Sequence, residues 1–186
     1  MHLLPVRLLA ALALLATGPA VAQTRPAHPP AHAAPPRPAP SGPKRIGKWE
    51  DWQAATHQEA GQPVCYAFTR PTASSPAIPG RDVARDVVLT VTERQGGRDA
   101  VALSAGFEYA QNAEVELVAD GVTLPFYTSK RSAFARDGKA ATALFGKARQ
   151  AVARSPGPRG TAVSDTFSLR GFAQAYAAIN KACPAR

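Results

Sequence analysis

The sequence predicts a mainly β domain, with a mixed α+β class as the alternative: an antiparallel, β-sandwich-like fold with two helices, the last one C-terminal and disulfide-linked. Three observations support this prediction. Apolar and polar residues alternate in several short runs, which is typical of half-buried strands. An Asp-Gly pair joins two of these runs, as in a tight β-hairpin. Helical spacing of apolar residues occurs in only two places, near residue 140 and at the C-terminus.

The first 22 residues have the pattern of a secretory signal peptide. One basic residue, Arg7, precedes an apolar stretch from Leu8 to Ala16, and an A-x-A site ends at Ala22. The alternative is a membrane anchor, but the apolar stretch is far shorter than the roughly 20 residues that cross a bilayer. The sequence therefore predicts cleavage after Ala22, a periplasmic or secreted protein, and no integral membrane segment once the signal is removed.

Residues 23–45 are predicted to be a disordered, basic linker rich in proline and alanine. They hold four basic residues and no acidic one, and they contain no large aliphatic side chain before Pro43. Such a segment cannot bury enough apolar surface to offset the entropy lost on ordering. Residues 46–186 are then expected to form a single folded domain.

The formal net charge of +9 is unevenly distributed, since residues 23–45 are basic and free of acids, but on no segment are basic residues clustered with aromatic ones. This distribution argues against nucleic-acid binding. It favours loose attraction to an anionic envelope polymer. The sequence does not indicate whether the protein is a monomer or an oligomer.

Trp49 and Trp52 are assigned to a short segment before a loop at residues 59–63, and a strand is predicted from Val64 to Thr69. Val64, Tyr66 and Phe68 share one face of that strand, so Cys65 points to the other. If the apolar three face the interior of the sheet, the terminal helix must cover the opposite side.

The middle of the chain is predicted to hold two hairpins after a loop at residues 70–85. The first pairs residues 87–94 with residues 100–107, and the second turns at Asp120-Gly121, where both residues tolerate positive φ. Pro125 lies in the second hairpin and lacks an amide hydrogen. Its strand is therefore expected at an edge of the sheet, or bulged there.

Two helices complete the prediction. The first runs from about residue 137 to 152 with Asp137 as a possible N-cap, and a strand over residues 160–169 leads to a break at Gly171. The last helix has four residues at i, i+4, i+7 and i+11, which lie on one helical face. They are Phe172, Tyr176, Ile179 and Cys183.

Cys65 and Cys183 are the two cysteines of the chain. Export to an oxidising compartment favours a disulfide between them. Two buried free thiols, or one reactive thiol, are the alternatives.

Few residues suggest catalysis. Asp165 lies in an otherwise apolar strand face, so it is either a catalytic acid or, as we expect, a structural carboxylate held by backbone amides or by an arginine such as Arg85 or Arg159. A hydrolase would use Asp165 or His57, and Ser168 and Asp165 are the candidate partners of His57, but these two lie on opposite faces of a strand and no G-x-S-x-G elbow is present. No metal-ligand spacing and no nucleotide-binding glycine motif occurs, so we predict no catalytic residue, metal or cofactor.

Several segments together resemble the invasion-associated locus B family of bacterial exported proteins. They are W-x-x-W-x-A from Trp49, V-C-Y-A-x-T-R-P at Val64–Pro71, R-D-V-V-L-T-V-T at Arg85–Thr92, G-F-E-Y at Gly106–Tyr109, F-A-R-D-G at Phe134–Gly138, and the ending R-G-T-A-V-S-D-T-F-S-L-R-G-F with a terminal Ala-Cys.

The resemblance implies an envelope-exposed, β-rich protein with no established enzymatic activity, in which Cys65 and Cys183 match as a structural pair. It offers no catalytic residues to carry over. The family name refers to entry into host cells, but similar proteins look widespread in bacteria that invade nothing. We therefore expect a non-enzymatic protein that interacts with an unknown envelope protein or an anionic envelope polymer. A periplasmic hydrolase and a stress-linked factor that stabilises other envelope proteins are the alternatives.

Overall fold

The computed structural model describes residues 42–185, so the predicted signal peptide and nearly all of the predicted linker lie outside the described residues. The elements in chain order are β1 (Lys44–Trp49), β2 (Trp52–Glu59), β3 (Gln62–Thr69), β4 (Ala73–Ser75), α1 (Val83–Asp86), β5 (Val87–Arg94), β6 (Gly97–Ala105), β7 (Glu114–Ala119), β8 (Val122–Ser129), β9 (Ser132–Ala135), α2 (Gly138–Phe145), β10 (Gln150–Pro156), β11 (Ala162–Ser168) and α3 (Phe172–Ala182). A single 3-10 turn, Pro158–Gly160, joins β10 to β11.

The eleven strands form one antiparallel sheet in the order β1-β2-β3-β5-β6-β9-β8-β7-β10-β11-β4. β3 and β5 are neighbours in the sheet, whereas β4, which lies between them in the chain, pairs with β11 at the far edge. The inward-facing side chains from strands along the whole sheet pack together in one hydrophobic core. The mainly β, sandwich-like fold is therefore confirmed, with α3 packed on β1, β2 and β3.

The first hairpin, β1–β2, is absent from the sequence-based prediction. Trp49 pairs with Trp52 across its turn, and Trp52 is fully buried. The predicted loop at residues 59–63 is only a two-residue turn, because β2 continues to Glu59 and β3 starts at Gln62. Alanine, threonine and glutamine dominate β2, so its alternation is too weak to recognise in the sequence.

The predicted hairpins β5–β6 and β7–β8 are both present. Asp120 and Gly121 have φ of 47° and 77°, as the tight turn requires. The edge position predicted for Pro125 is wrong, because β8 lies between β7 and β9. Pro125 is tolerated since the pairing of β8 with β9 ends at Phe126, and the Pro125 carbonyl still accepts a hydrogen bond from the Arg136 amide at 3.1 Å.

The predicted apolar face of β3 is only partly buried. Val64 is buried, but Tyr66 and Phe68 are only half-buried, whereas Cys65 and Ala67 on the other face are buried under the terminal helix. The helix does cover the side opposite Tyr66 and Phe68, as predicted. The aromatic residues do not define the core here because the face that carries α3 needs small side chains beneath the helix.

Helix α2 is shorter than predicted, and a third helix, α1, adds one turn within the predicted loop. Asp137 caps α2 as expected, because its carboxylate accepts a hydrogen bond from the Ala140 amide at 2.9 Å. The helix ends at Phe145, and β10 begins at Gln150.

Candidate functional site: buried acid–arginine clusters and an open groove

The C-terminal helix is bonded to the sheet by the Cys65–Cys183 disulfide. The two Cα atoms are 5.9 Å apart across a sequence separation of 118 residues. Neither cysteine is a free thiol. The predicted bridge is confirmed, and it fixes the end of α3 to strand β3.

The buried face of α3 consists of Phe172, Ala175 and Ile179. The ring of Phe172 meets Trp52 edge-on, with centroids 4.9 Å apart. Tyr176, which the spacing placed on this face, is only half-buried, and its hydroxyl donates a hydrogen bond to Asp99. Ala175 takes the buried position instead because its small side chain lets the helix approach the sheet closely.

Gly171 allows the sharp entry into α3. Its φ is 86°, in the left-handed region that favours glycine, and a Cβ atom at this position would lie 2.0 Å from the Trp49 carbonyl oxygen. The break predicted at Gly171 is thus a position where the backbones of two elements nearly touch.

The carboxylate of Asp165 is enclosed. Its side chain and that of Arg81 are each 1% exposed, and the Arg81 Nη2 to Asp165 Oδ2 distance is 2.5 Å. Ser74 donates a second hydrogen bond to Asp165, at 2.6 Å. The partner is therefore Arg81, and the suggestion of Arg85 or Arg159 is wrong: Arg85 pairs with neighbouring Asp86, and Arg159 occupies the 3-10 turn.

Arg81 connects three parts of the fold at once. Its Nε donates to the Ala105 carbonyl at 2.6 Å, its Nη1 donates to Ser74 at 2.8 Å, and its guanidinium lies 5.2 Å from the Phe107 ring centroid. These contacts hold the segment between β4 and β5 against β6 and β11. The arrangement satisfies the donors of a buried guanidinium and leaves the carboxylate no open side.

Tyr109 and Ser155 lie near this cluster. The Tyr109 hydroxyl and the Ser155 Oγ are 3.2 Å apart, and both side chains are buried. Burial raises the pKa of Tyr109, and the charge of Asp165 acts in the same direction. The phenol is thus a neutral hydrogen-bonding group at neutral pH.

A second buried acid, Glu93, was not found from the sequence. It is fully buried, and Arg98 Nε lies 2.8 Å from its Oε2. Burial raises the pKa of Glu93, while the Asp99 amide and the Arg98 charge act in the opposite direction. A signal was present, because Glu93 continues the inward series Val87, Leu89, Val91 along β5.

Arg98 also holds the end of the terminal helix. It donates to the Cys183 carbonyl at 2.5 Å and to the Asn180 side chain. A cation at a helix C-terminus is favoured by the helix dipole. Glu93, Arg98 and the disulfide therefore form one structural cluster at the C-terminal end of α3.

The residues required for a hydrolase are not brought together by hydrogen bonds. His57 lies in β2, where its Nε2 is 3.0 Å from Glu59 Oε1 and its Nδ1 is buried without a partner. The hydrogen bond from Arg94, followed by that from His57, lowers the pKa of Glu59 to about 2. The hydroxyl of Ser168 accepts from the Arg170 amide. None of these contacts involves Asp165.

An open groove of about 480 Å³ lies on the outer face of β8, β7, β10 and β11. The groove lies where β7 and β10 separate. Their pairing ends at Arg154↔Glu116, although β10 continues to Pro156 and β7 begins at Glu114. Ser155 reaches the groove from the inner side, so the opening extends between the strands.

The groove carries charges of both signs. Glu116 and Arg154 are opposite each other in register and exposed, and within the described chain neither has an ion pair or a side-chain hydrogen bond. Glu114, at the rim, pairs with Arg136 at 2.6 Å. Arg136 in turn lies over the ring of Tyr127, which is 46% exposed. The groove thus offers an anion and a cation that are both available to a ligand.

Residues 42–185 contain no group of three or more His, Cys, Asp or Glu side chains placed to hold a metal ion. None of their helices has the length and hydropathy that a membrane span needs.

Comparison with known proteins places the chain in a family. A sequence model described as Invasion associated locus B (IalB) protein matches residues 52–180. The crystal structure of invasion associated protein B from Bartonella henselae is similar, with a TM-score of 0.53 and 15% identity over 76% of this chain and 97% of that chain. At this identity the likeness shows the fold alone. No curated protein matches the sequence. Because the family match spans well over half of the chain, the protein belongs to the invasion-associated locus B family.

Proposed function

We propose that the protein is an exported, non-enzymatic component of the bacterial envelope that binds another envelope component, either a protein or an anionic polymer. A stabilising factor for other envelope proteins would be one form of this role. The open groove of β7 and β10 is the observation that carries the proposal, since it combines an accessible concavity with unpaired charges.

The closed state of the buried acids supports binding over hydrolysis. A general acid or base must come within hydrogen-bond reach of its substrate. The carboxylates of Asp165 and Glu93 are each buried and paired with an arginine. His57 contacts neither of them through its hydrogen bonds. The accessible charges lie instead in the groove, where no histidine or cysteine is among the lining residues.

Export is supported by the signal pattern ending at Ala22 and by the disulfide, because stable disulfides are typical of oxidising compartments. Intact mass of the protein recovered from the periplasm or medium tests this part. We expect a chain beginning at Gln23 that is lighter by two hydrogens than the reduced form. A chain that retains residue 1, or two alkylatable thiols in unreduced protein, would contradict export.

The binding role is tested by chemical crosslinking in living cells, followed by purification of the protein under denaturing conditions. We expect discrete adducts with an envelope component. Separately, protein purified in its native state without crosslinker is incubated with peptidoglycan, ester and peptide substrates. Turnover that is lost in His57→Gln, or in Asp165→Asn with the fold retained by circular dichroism, would establish the hydrolase instead, and the absence of any envelope adduct would contradict the binding role.

A further inference from the structure

We infer that the groove between β7 and β10 binds an extended peptide segment of a partner protein, one that carries a basic and an acidic side chain on the same face. This inference rests on the proposed binding role and names the chemistry of the partner. Three features of the groove support it. The backbone pairing of β7 with β10 is interrupted, two neighbouring side chains of opposite charge form no ion pair, and neither α2 nor α3 covers this part of the sheet.

Glu114 lies beyond the last residue of β7 that pairs with β10. The hairpin of β7 with β8 has a two-residue turn, so Ala119 and Val122 form a hydrogen-bonded pair. By alternation, Leu117 and Val115 also bond to β8, while Glu116 and Glu114 direct their amide and carbonyl groups toward β10.

Pro156 explains why the pairing with β10 stops. The next hydrogen-bonded partners after Arg154↔Glu116 would be Pro156 and Glu114. Proline has no amide hydrogen to donate to the Glu114 carbonyl. The Glu114 carbonyl, at the lining of the groove, therefore receives no amide from Pro156, and an extended peptide can supply that donor, as in strand addition at a sheet edge.

The side chains define which peptide fits. Glu116 can pair with a lysine or arginine of the ligand, and Arg154 with an aspartate or glutamate. The two are cross-strand neighbours on one face, so the complementary charges must lie close together on one face of the ligand. A purely anionic polymer fits less well, because it would lie against Glu116 and the rim residue Glu114.

The position of the groove leaves room for a chain to enter and leave. The helices α2 and α3 contact other strands, chiefly β6 and the β1–β2–β3 group. The groove volume of about 480 Å³ falls within the range of ligand sites, roughly 300 to 1,000 Å³. Next to it, Tyr127 stacks on Phe134 and remains 46% exposed, which extends the surface with an aromatic contact.

Fluorescence anisotropy with a synthetic peptide tests the inference on the mature protein. The probe is a labelled octapeptide of alternating threonine and valine in which one Lys and one Glu stand two positions apart, so that both project to one side. We expect saturable binding that weakens about three- to fivefold in Glu116→Gln and in Arg154→Gln, because exposed charge pairs contribute little more than this. Glu108→Gln and Arg149→Gln, exposed charges outside the groove, serve as matched controls and should bind like the wild type.

Two further variants test the backbone contact. The same peptide N-methylated at alternate amides should lose binding, because it cannot pair with Glu114. Pro156→Ala restores the missing amide, so β10 should pair further with β7 and binding should fall, whereas Pro158→Ala should have no effect. The inference is overturned if the wild type does not bind the probe at millimolar concentration, or if the N-methylated peptide and the groove variants bind equally well.

This outcome is separable from the proposed function. If crosslinked envelope adducts form in cells and persist in Glu116→Gln with Arg154→Gln, the binding role stands and the peptide groove is wrong. If no adducts form with the wild type, the binding role itself fails.

Discussion

Asp165 and Arg154 occupy adjacent register positions of β11 and β10, yet their side chains lie on opposite faces of the sheet. One is buried in an ion pair, and the other is exposed without one. Asp165 projects inward and is enclosed with Arg81, each side chain 1% exposed. Arg154 projects outward beside Glu116 and makes no ion pair with it. A carboxylate and a guanidinium thus form a buried ion pair on the inner face, whereas on the outer face the same two groups are neighbours that do not bond to each other. This difference separates residues that should matter for stability from residues that should matter for binding.

The largest effect on the inner side should come from the disulfide. Replacing both Cys65 and Cys183 by serine removes a bridge across 118 residues. We expect the free energy of unfolding to fall by about 4 to 5 kcal/mol, the value of the chain-entropy model for a loop of this size. Urea denaturation of the double variant measures the loss. An unchanged midpoint would show that α3 is held by packing alone.

The Asp165–Arg81 pair is the next test. Asp165→Ala leaves a buried guanidinium without its counter-ion, so we expect a loss of about 3 to 5 kcal/mol in the free energy of unfolding. Ser168→Ala is the control on the same strand and should cost far less, since its hydroxyl only accepts a hydrogen bond from the Arg170 amide. Equal denaturation midpoints for the two variants would contradict the structural role of Asp165.

Gly171 tests the close approach of α3 and β1. Gly171→Ala places a Cβ atom 2.0 Å from the Trp49 carbonyl oxygen at a positive φ. We expect a loss of about 1 to 3 kcal/mol, as for strained backbone positions. Gly96→Ala is the matched control, because a Cβ atom there meets nothing within 4 Å. A melting temperature of Gly171→Ala equal to that of Gly96→Ala would show that the entry to the helix adjusts freely.

Glu93 makes the stability of the inner side depend on pH. Burial raises the pKa of Glu93 above its ordinary value of 4.5. The folded state therefore holds this proton more tightly than the unfolded chain, and its contribution to stability is present below pH 4.5 and is lost as pH rises through the raised pKa. In Glu93→Gln, the decrease in stability with rising pH that is due to Glu93 should disappear. Urea midpoints measured from pH 4 to 8 for both proteins provide the test, and parallel curves would refute it.

The smallest effect on stability should come from the groove. Glu116→Gln and Arg154→Gln should each change the free energy of unfolding by less than about 0.5 kcal/mol, as exposed substitutions usually do. A double-mutant cycle should give a coupling close to zero. A coupling near that of a buried pair would mean that these two charges serve the fold rather than a ligand.

The sequence indicates the strands whose faces alternate strongly and misses those whose faces do not. The Asp120-Gly121 turn and the β5–β6 hairpin were predicted because local chemistry determines them. The β1–β2 hairpin was missed, since apolar and polar residues alternate only weakly in these two strands, and the buried position of Trp52 against Phe172 is visible only in the folded protein. Local pattern therefore predicted the fold class but not the strand order.

The site was predictable only in part for the same physical reason. The pairing of Cys65 with Cys183 follows from the count of cysteines and the signal peptide. Arg81 could not be identified as the partner of Asp165, because the contact joins residues 84 positions apart. The groove depends on where two strands of different hairpins diverge, which is a property of the assembled sheet. Pro156 is its only local signal.

The central claim, that the outer side of β7 and β10 is the binding surface, is tested most directly by site-specific photocrosslinking in cells. A photoreactive amino acid replaces Thr123 in the groove or, as the control, the exposed Gln58 on β2. Irradiation should yield a discrete envelope-protein adduct from position 123 and none from position 58. Adducts of equal yield from both positions, or from position 58 alone, would contradict the assignment of the groove as the binding surface.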